Sequence, residues 1–133
     1  MLTIKAAIAA TALSMVALSA GAATVSPADA MGQVGHTAKV CGIVAAANYA
    51  ADTRGHPTFV TLIDPSQPNP AAALTAVIYG TDRAKFGNPE ATLPGQRVCV
   101  TGFVSYFRQR PEMILSRPSQ LSYFPPPSIA ELR

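Results

Sequence analysis

The feature that most constrains the fold of this chain is a pair of β-rich stretches, residues 39–44 and 97–104, each of which carries one of only two cysteines. Both stretches are rich in valine and other residues that favour extended strands. Cys41 and Cys99 have no other cysteine to pair with. In an oxidising compartment they predict one disulfide, and the alternative is two separate buried thiols.

The first thirty residues indicate export. Lys5 supplies a positive charge, residues 6–23 form a small and apolar run, and residues 28–30 read Ala-Asp-Ala, an A-x-A cleavage site. We therefore predict a signal peptide over residues 1–30 and a periplasmic or secreted protein. Two alternatives stay open: an uncleaved membrane anchor, because the run is just long enough to span a bilayer, and cleavage within residues 20–23.

The remainder fits a single domain. Residues 31–123 are enough for one modest core, and residues 124–133 begin with a proline run that predicts a stiff, extended tail. The formal net charge of +3 is a mild bias towards anionic partners, well short of a protein that coats nucleic acid.

Alternating apolar residues and turn signals predict an all-β fold with five short strands. The predicted strands are residues 37–45, 58–63, 74–79, 96–106 and 112–116. The prolines of residues 64–70 predict an open loop. Gly42 predicts a bulge or bend within the first strand.

One helical turn is predicted between the third and fourth strands. It covers residues 80–87, with Thr81 as the N-cap, Phe86 as an apolar anchor and Gly87 as the stop. Five strands with such a connector fit the five-stranded Greek-key barrel called the OB-fold. The first and fourth strands of that barrel are antiparallel neighbours, which is where Cys41 and Cys99 fall.

Several motifs in order resemble a known group. The chain is similar, over about residues 35–123, to small exported bacterial OB-fold proteins, and to OB modules attached to secreted nuclease-like proteins. The resemblance implies an OB-fold and nucleic-acid binding. The motifs that carry it are Val40-Cys41-Gly42, Gly55-His56-Pro57-Thr58-Phe59, Tyr79-Gly80-x-Asp82-Arg83, Phe86-Gly87-x-Pro89-Glu90, Val98-Cys99-Val100-Thr101-Gly102, Pro111-Glu112-Met113 and Pro118-Ser119-Gln120-Leu121.

An OB-fold binds ligands across its second and third strands, between the loop after the first strand and the hairpin of the last two. Aromatic residues and arginines occur in those segments, where they predict stacking on bases and contacts with phosphates. The alternative is that the aromatics cover the barrel end and the arginines form a solvated rim. Alternation allows Phe59 and Tyr79 each to face either the groove or the core, and Phe59 is expected in the core. The predicted ligand-binding residues are Tyr49, Arg54, Tyr79, Tyr106, Phe107, Arg108 and Arg110.

No catalytic, cofactor or metal-binding motif is recognisable. The chain has two histidines, His36 and His56, and no spacing typical of zinc ligands or hydrolase nucleophiles. His56 is interpreted as a loop residue. The Asp82-Arg83-x-Lys85 cluster is interpreted as a solvated face with a local ion pair. We therefore expect a non-catalytic module that binds single-stranded nucleic acid or another anionic polymer. The alternative is an envelope protein-interaction or adaptor module.

Overall fold

The structure is a computed structural model that describes residues 22–123. The N-terminal part of the predicted leader and the predicted tail over residues 124–133 lie outside the described residues. The strands are β1 (Ala23–Val25), β2 (Thr37–Tyr49), β3 (Thr58–Ile63), β4 (Leu74–Ile78), β5 (Arg97–Phe107), β6 (Arg110–Ile114) and β7 (Leu121–Tyr123). The helices are α1 (Gly80–Arg83) and α2 (Pro89–Thr92), with short 3₁₀ turns at Pro27–Gln33, Pro70–Ala72, Ala84–Phe86 and Pro118–Gln120.

Five of the strands close into a barrel in the order β2, β3, β4, β6, β5, and β5 pairs back with β2. The β4–β6 pair is parallel and the other barrel pairs are antiparallel. This closure confirms the predicted OB-fold, with α1 and α2 between its third and fourth strands. β1 and β7, which add to β2 and β5, were not predicted.

The disulfide joins the first and fourth barrel strands. Cys41 lies directly opposite Cys99 in the β2–β5 register, and their sulfurs are bonded. The predicted pairing is thus confirmed. The bond fixes β2 to β5 at the place where the barrel closes.

β2 bends further along than the sequence predicted. Its first half pairs with β5 and its second half with β3, and the register shifts between Val44 and Ala46. Of the predicted bulge or bend at Gly42, the bulge is therefore wrong, and β2 changes its pairing partner at the next residue, Ile43. Gly42 is needed for a close approach instead, because a Cβ there would lie 2.6 Å from Ile63 O and 2.6 Å from Pro27 Cγ.

Alternate strand residues fill the core, as period-two patterning requires. The largest fully buried side chains are Val40, Val44, Thr58, Val60, Leu62, Leu74, Ile78, Val98, Val100, Val104, Met113 and Leu115. Phe86 packs against this core as predicted, and Gly87 ends the turn with φ +74°. The predicted cap was wrong, since Tyr79 and not Thr81 occupies the N-cap of α1.

The segment before the barrel packs against its core. β1 runs parallel to β2, and the 3₁₀ turn Pro27–Gln33 buries Pro27 and Ala30. Ala30 is fully excluded from solvent and belongs to the core cluster. Residues at the end of the predicted leader are thus part of the folded domain in this structure. The leader boundary at residue 30 stays a prediction.

Candidate nucleic-acid interface

The outer face of β3, β4 and β6 forms the floor of a cleft. Register places Phe59 opposite Val77, and Thr75 opposite Thr61 on one side and Glu112 on the other. Their strand neighbours Val60 and Ala76 point into the core. The expectation that Phe59 belongs to the core was wrong, because alternation places it on the outer face.

Two continuous depressions make up this cleft, with volumes of about 320 Å³ and about 360 Å³. These values lie at the lower end of the range for ligand pockets. Both depressions share four lining residues, which are Phe59, Phe107, Arg108 and Glu112. We call the whole depression the outer cleft.

The loop between β2 and β3 forms one end of the outer cleft. This end adds Thr53, Arg54, Pro57, Val77 and Tyr79. The loop is held by its own hydrogen bonds: His56 Nδ1 donates to Ala51 O at 2.6 Å, and Gly80 N donates to Gly55 O at 2.9 Å. The His56 side chain therefore stabilises the loop that carries Arg54. This agrees with the interpretation of His56 as a loop residue.

Gly55 and Tyr79 meet at the base of this loop. Gly55 has φ +84°, and a Cβ on it would lie 3.1 Å from the Tyr79 ring. Only a residue without a side chain fits both the backbone conformation and the space beside the ring. The aromatic wall at this end of the outer cleft thus depends on a glycine.

The β5–β6 hairpin forms the other end, which adds Thr61, Thr75 and Arg110. Phe107 pairs with Arg110, leaving Arg108 and Gln109 as a two-residue turn in which both have positive φ, 49° and 66°. Such a turn fits the twist of an antiparallel hairpin. It is tighter than the polar turn predicted over residues 108–111.

The hairpin exposes an aromatic ring beside a cation. Phe107 is 55% exposed, and the guanidinium carbon of Arg108 lies 5.2 Å from the centre of its ring. This distance is within the range of a cation–π contact. The ring and the guanidinium are therefore both accessible to a ligand in the outer cleft.

Glu112 lies in the middle of the outer cleft, between the two ends. Burial raises the pKa of its carboxyl because a low-dielectric environment disfavours the charged form. Three arginines line the same cleft, Arg54, Arg108 and Arg110, so its positive charges outnumber the negative one. The cleft can accordingly attract anions while offering one acceptor group at its centre.

Five of the seven predicted ligand-binding residues line this cleft together: Arg54, Tyr79, Phe107, Arg108 and Arg110. Tyr106 does not. It pairs with the buried Pro111, whereas Phe107 pairs with Arg110 on the cleft side. Phe59 and Glu112 line the cleft but were not among the predicted ligand-binding residues. Alternation about Met113 places the charged Glu112 on the outer face, whereas β3 carries apolar residues on both of its faces.

Tyr49 also lies outside the residues that line the outer cleft. The guanidinium of Arg83 covers its ring at 4.0 Å from the centroid. Arg83 in turn forms an ion pair with Glu90 and donates a hydrogen bond to Asn88 at 3.2 Å. Tyr49 therefore forms a cation–π contact with Arg83 of the same chain and does not line the cleft.

The predicted local ion pair next to this stack is present, since Lys85 Nζ lies 2.7 Å from Asp82 Oδ1. Within residues 22–123, no group of three or more His, Cys, Asp or Glu side chains is arranged to hold a metal ion.

No protein-family model matches the sequence, and no curated protein is significantly similar to it. Solved structures do resemble this fold. Asparaginyl-tRNA synthetase of Entamoeba histolytica aligns with a TM-score of 0.55 at 17% identity, over 82% of this chain and 25% of the synthetase. Yeast Stn1 and Ten1 align with a TM-score of 0.54 at 12% identity, over 79% of this chain and 64% of that chain.

A third similar structure is OBody AM3L09 bound to hen egg-white lysozyme. Its TM-score is 0.50 at 16% identity, over 72% of this chain and 88% of the OBody. The chain thus spans a quarter of the synthetase and just under two thirds of the yeast chain. At these identities the similarity shows the architecture alone, and that architecture is the OB-fold.

Proposed function

We propose that this protein is an exported, non-catalytic binding module that holds single-stranded nucleic acid or another anionic polymer in its outer cleft. The observation that carries the proposal is the meeting of Phe59, Phe107 and Tyr79 with three arginines along one face of the barrel. Aromatic rings stack on bases of any sequence, and guanidinium groups contact phosphates. The outer cleft supplies both.

The energetics favour a moderate, salt-sensitive complex. Stacking contributes about 1–3 kcal/mol per base, and each phosphate neutralised releases bound counterions, so affinity falls as salt rises. With only Arg54, Arg108 and Arg110 available, few phosphates are neutralised at once. We therefore expect affinity to fall with rising salt, with a logarithmic slope set by at most three phosphate contacts.

Export is proposed from the sequence together with the disulfide. A signal peptide over residues 1–30, an OB-fold domain over 31–123 and a proline-rich tail over 124–133 make up the proposed organisation. The Cys41–Cys99 bond fits an oxidising compartment. None of the helices between residues 22 and 123 is long and apolar enough to cross a membrane. The proposed association with exported bacterial OB-fold proteins rests on the motifs alone.

The test is a fluorescence-anisotropy titration of the oxidised protein with labelled single-stranded DNA at several salt concentrations. Replacing Arg108 and Arg110 by alanine is expected to weaken binding and to flatten the logarithmic salt slope by about 0.7 per lost contact. Arg97→Ala is the matched control, because Arg97 is exposed and lies outside the outer cleft. Absence of binding at low salt, or binding that ignores salt, would contradict the phosphate contacts.

A protein partner is the second candidate function, as an envelope adaptor. The observation that favours it is a set of exposed apolar side chains away from the cleft lining, Phe103, Ile114 and Tyr123. The OBody bound to lysozyme is an OB-fold that binds a protein, and one fold hosts many functions. Loss of a captured envelope protein on deletion of residues 124–133 or in Phe103→Ser, with DNA binding unchanged, would favour the adaptor.

A further inference from the structure

Glu112 is the one acidic residue among the described residues that line the outer cleft. It lies on β6 between Thr75 of β4 and Ser105 of β5. Both depressions of the cleft include it, so a ligand that fills the cleft passes over it. Its backbone carbonyl accepts a hydrogen bond from Ser105 Oγ at 3.1 Å, which fixes the strand beneath the side chain.

The carboxylate of Glu112 is unpaired among the residues that the structure describes. Within residues 22–123 it accepts no hydrogen bond, and no lysine or arginine nitrogen lies within the 4.0 Å that defines an ion pair. The charged groups that face the same cleft are Arg54, Arg108 and Arg110. Among the described residues, the buried side-chain atoms without a partner do not include the Glu112 oxygens, which therefore reach the open cleft. They are free to accept hydrogen bonds from a ligand that lies there.

A carboxylate accepts hydrogen bonds and donates none. It repels phosphates, so the backbone of a bound strand must run along the arginines at the edges and turn its bases towards Glu112. Guanine is the base whose Watson–Crick edge offers two adjacent donors, the N1–H and the N2 amino group, to the two oxygens of one carboxylate. Thymine and uracil offer one donor between two acceptors. A carbonyl oxygen of the base would therefore face one of the carboxylate oxygens, and both are acceptors.

We propose that Glu112 makes the outer cleft selective for guanine-bearing single strands, with its carboxylate accepting both guanine donors while Phe59 or Phe107 stacks on the base. This inference rests on the proposed function. A well-placed bidentate contact discriminates against the wrong base by on the order of tenfold or more. Stacking alone would not discriminate to that extent.

The experiment uses labelled single strands of about 12 nucleotides, within the span of an OB-fold site. One strand is all thymidine, a second carries isolated guanines that cannot form a quadruplex, and a third carries hypoxanthine at the same positions. Hypoxanthine keeps N1–H and lacks the amino group, so it removes one of the two proposed hydrogen bonds. We expect affinity to fall in the order guanine, hypoxanthine, thymine.

Glu112→Gln is the decisive variant. It keeps the shape of the side chain and replaces one acceptor by a donor, so we expect the guanine preference to shrink to within about twofold while binding to the thymidine strand is kept or strengthened. Asp64→Asn is the matched control. It removes one negative charge away from the cleft, and asparagine Oδ1 still accepts from Ser66 N, now 2.8 Å from Asp64 Oδ1.

The outcomes distinguish a failure of the guanine selectivity from a failure of single-strand binding itself. Guanine preference in the unmodified protein and in Asp64→Asn, lost in Glu112→Gln, supports the inference. Equal binding of all three strands, or a preference that survives Glu112→Gln, overturns the inference and leaves the proposed function standing. Binding of no strand by the folded, oxidised protein overturns both.

Discussion

The two sides of this barrel are built in opposite ways. Around Gly42, the N-terminal segment packs onto the barrel: Pro27 and Ala30 are buried, and Cys41, which precedes Gly42 in β2, is bonded to Cys99 of β5. In the outer cleft, Phe107 and the arginine side chains are exposed, and Glu112 forms no ion pair with any residue between 22 and 123. The difference suits the proposed function, in which the closed side supplies stability and the cleft side binds the proposed ligand.

The largest expected effect is on the closed side. Replacing Cys41 and Cys99 together by alanine removes a cross-link over a sequence separation of 58, which is expected to cost about 4 kcal/mol in the free energy of unfolding. Urea unfolding of the oxidised protein and the double variant measures it. DNA affinity at low denaturant should be unchanged, and a large loss of affinity in a still-folded variant would show that the two sides are coupled.

The second prediction concerns the N-terminal segment. A chain that begins at Met31 lacks β1, Pro27 and Ala30, and exposes the core they cover, so we expect it to be less stable than a chain that begins at Ala23 by on the order of 2–3 kcal/mol. Thermal unfolding of the two chains tests this. Equal stability would mean that the N-terminal segment contributes little to the closed side.

The same comparison bears on processing. Cleavage after Ala30 would remove Pro27 and Ala30 from the exported protein, whereas cleavage within residues 20–23 would keep them. The N-terminal residue of the exported protein, read by mass spectrometry, decides between the two positions.

The closed side was only partly predictable from the sequence. The cysteine pairing and the alternation around Val98 and Val100 predicted the barrel and its closing strands. The segment Ala23–Val25 and the turn after it could not be predicted as part of the fold, because small apolar residues are typical of both a leader and a packed segment. The pairing of β1 with β2, the burial of Ala30 and the close approach of Pro27 to Gly42 are tertiary features that the local sequence does not reveal.

The end of the outer cleft that the β5–β6 hairpin forms was predictable from the sequence. Phe107, Arg108 and Arg110 were predicted because they lie in the hairpin that flanks the ligand-binding face of an OB-fold. Phe59 was missed because both faces of β3 carry apolar residues, so alternation alone does not say which face is inward. The partner of Tyr49 is Arg83 of α1, far along the chain, and no local pattern predicts such a contact.

On the cleft side, Phe107 and Phe103 form a matched pair. Both are on β5 and more than half exposed, at 55% and 58%, and only Phe107 lines the cleft. Phe107→Ala is expected to weaken DNA binding by about 1–3 kcal/mol, one lost stacking contact, and Phe103→Ala to leave it unchanged. Anisotropy titrations measure both. Equal losses from the two variants would place the ligand beyond the outer cleft.

The smallest expected effect is the loss of folding stability caused by the partly buried carboxylate of Glu112. Burial raises the pKa of its carboxyl above the ordinary value of 4.5, so the folded protein binds a proton more readily than the unfolded chain. The resulting stability is present in full below pH 4.5 and is lost as the pH rises through the folded pKa. At neutral pH the charged carboxylate is therefore a net cost, and Glu112→Gln should raise the melting temperature there. Below pH 4.5 the two proteins should melt together, as thermal unfolding across this range would measure. If Glu112→Gln lowers the melting temperature at neutral pH, the carboxylate stabilises the free protein. Glu112 would then contribute to stability on the cleft side as well, and the contrast between the two sides would not hold.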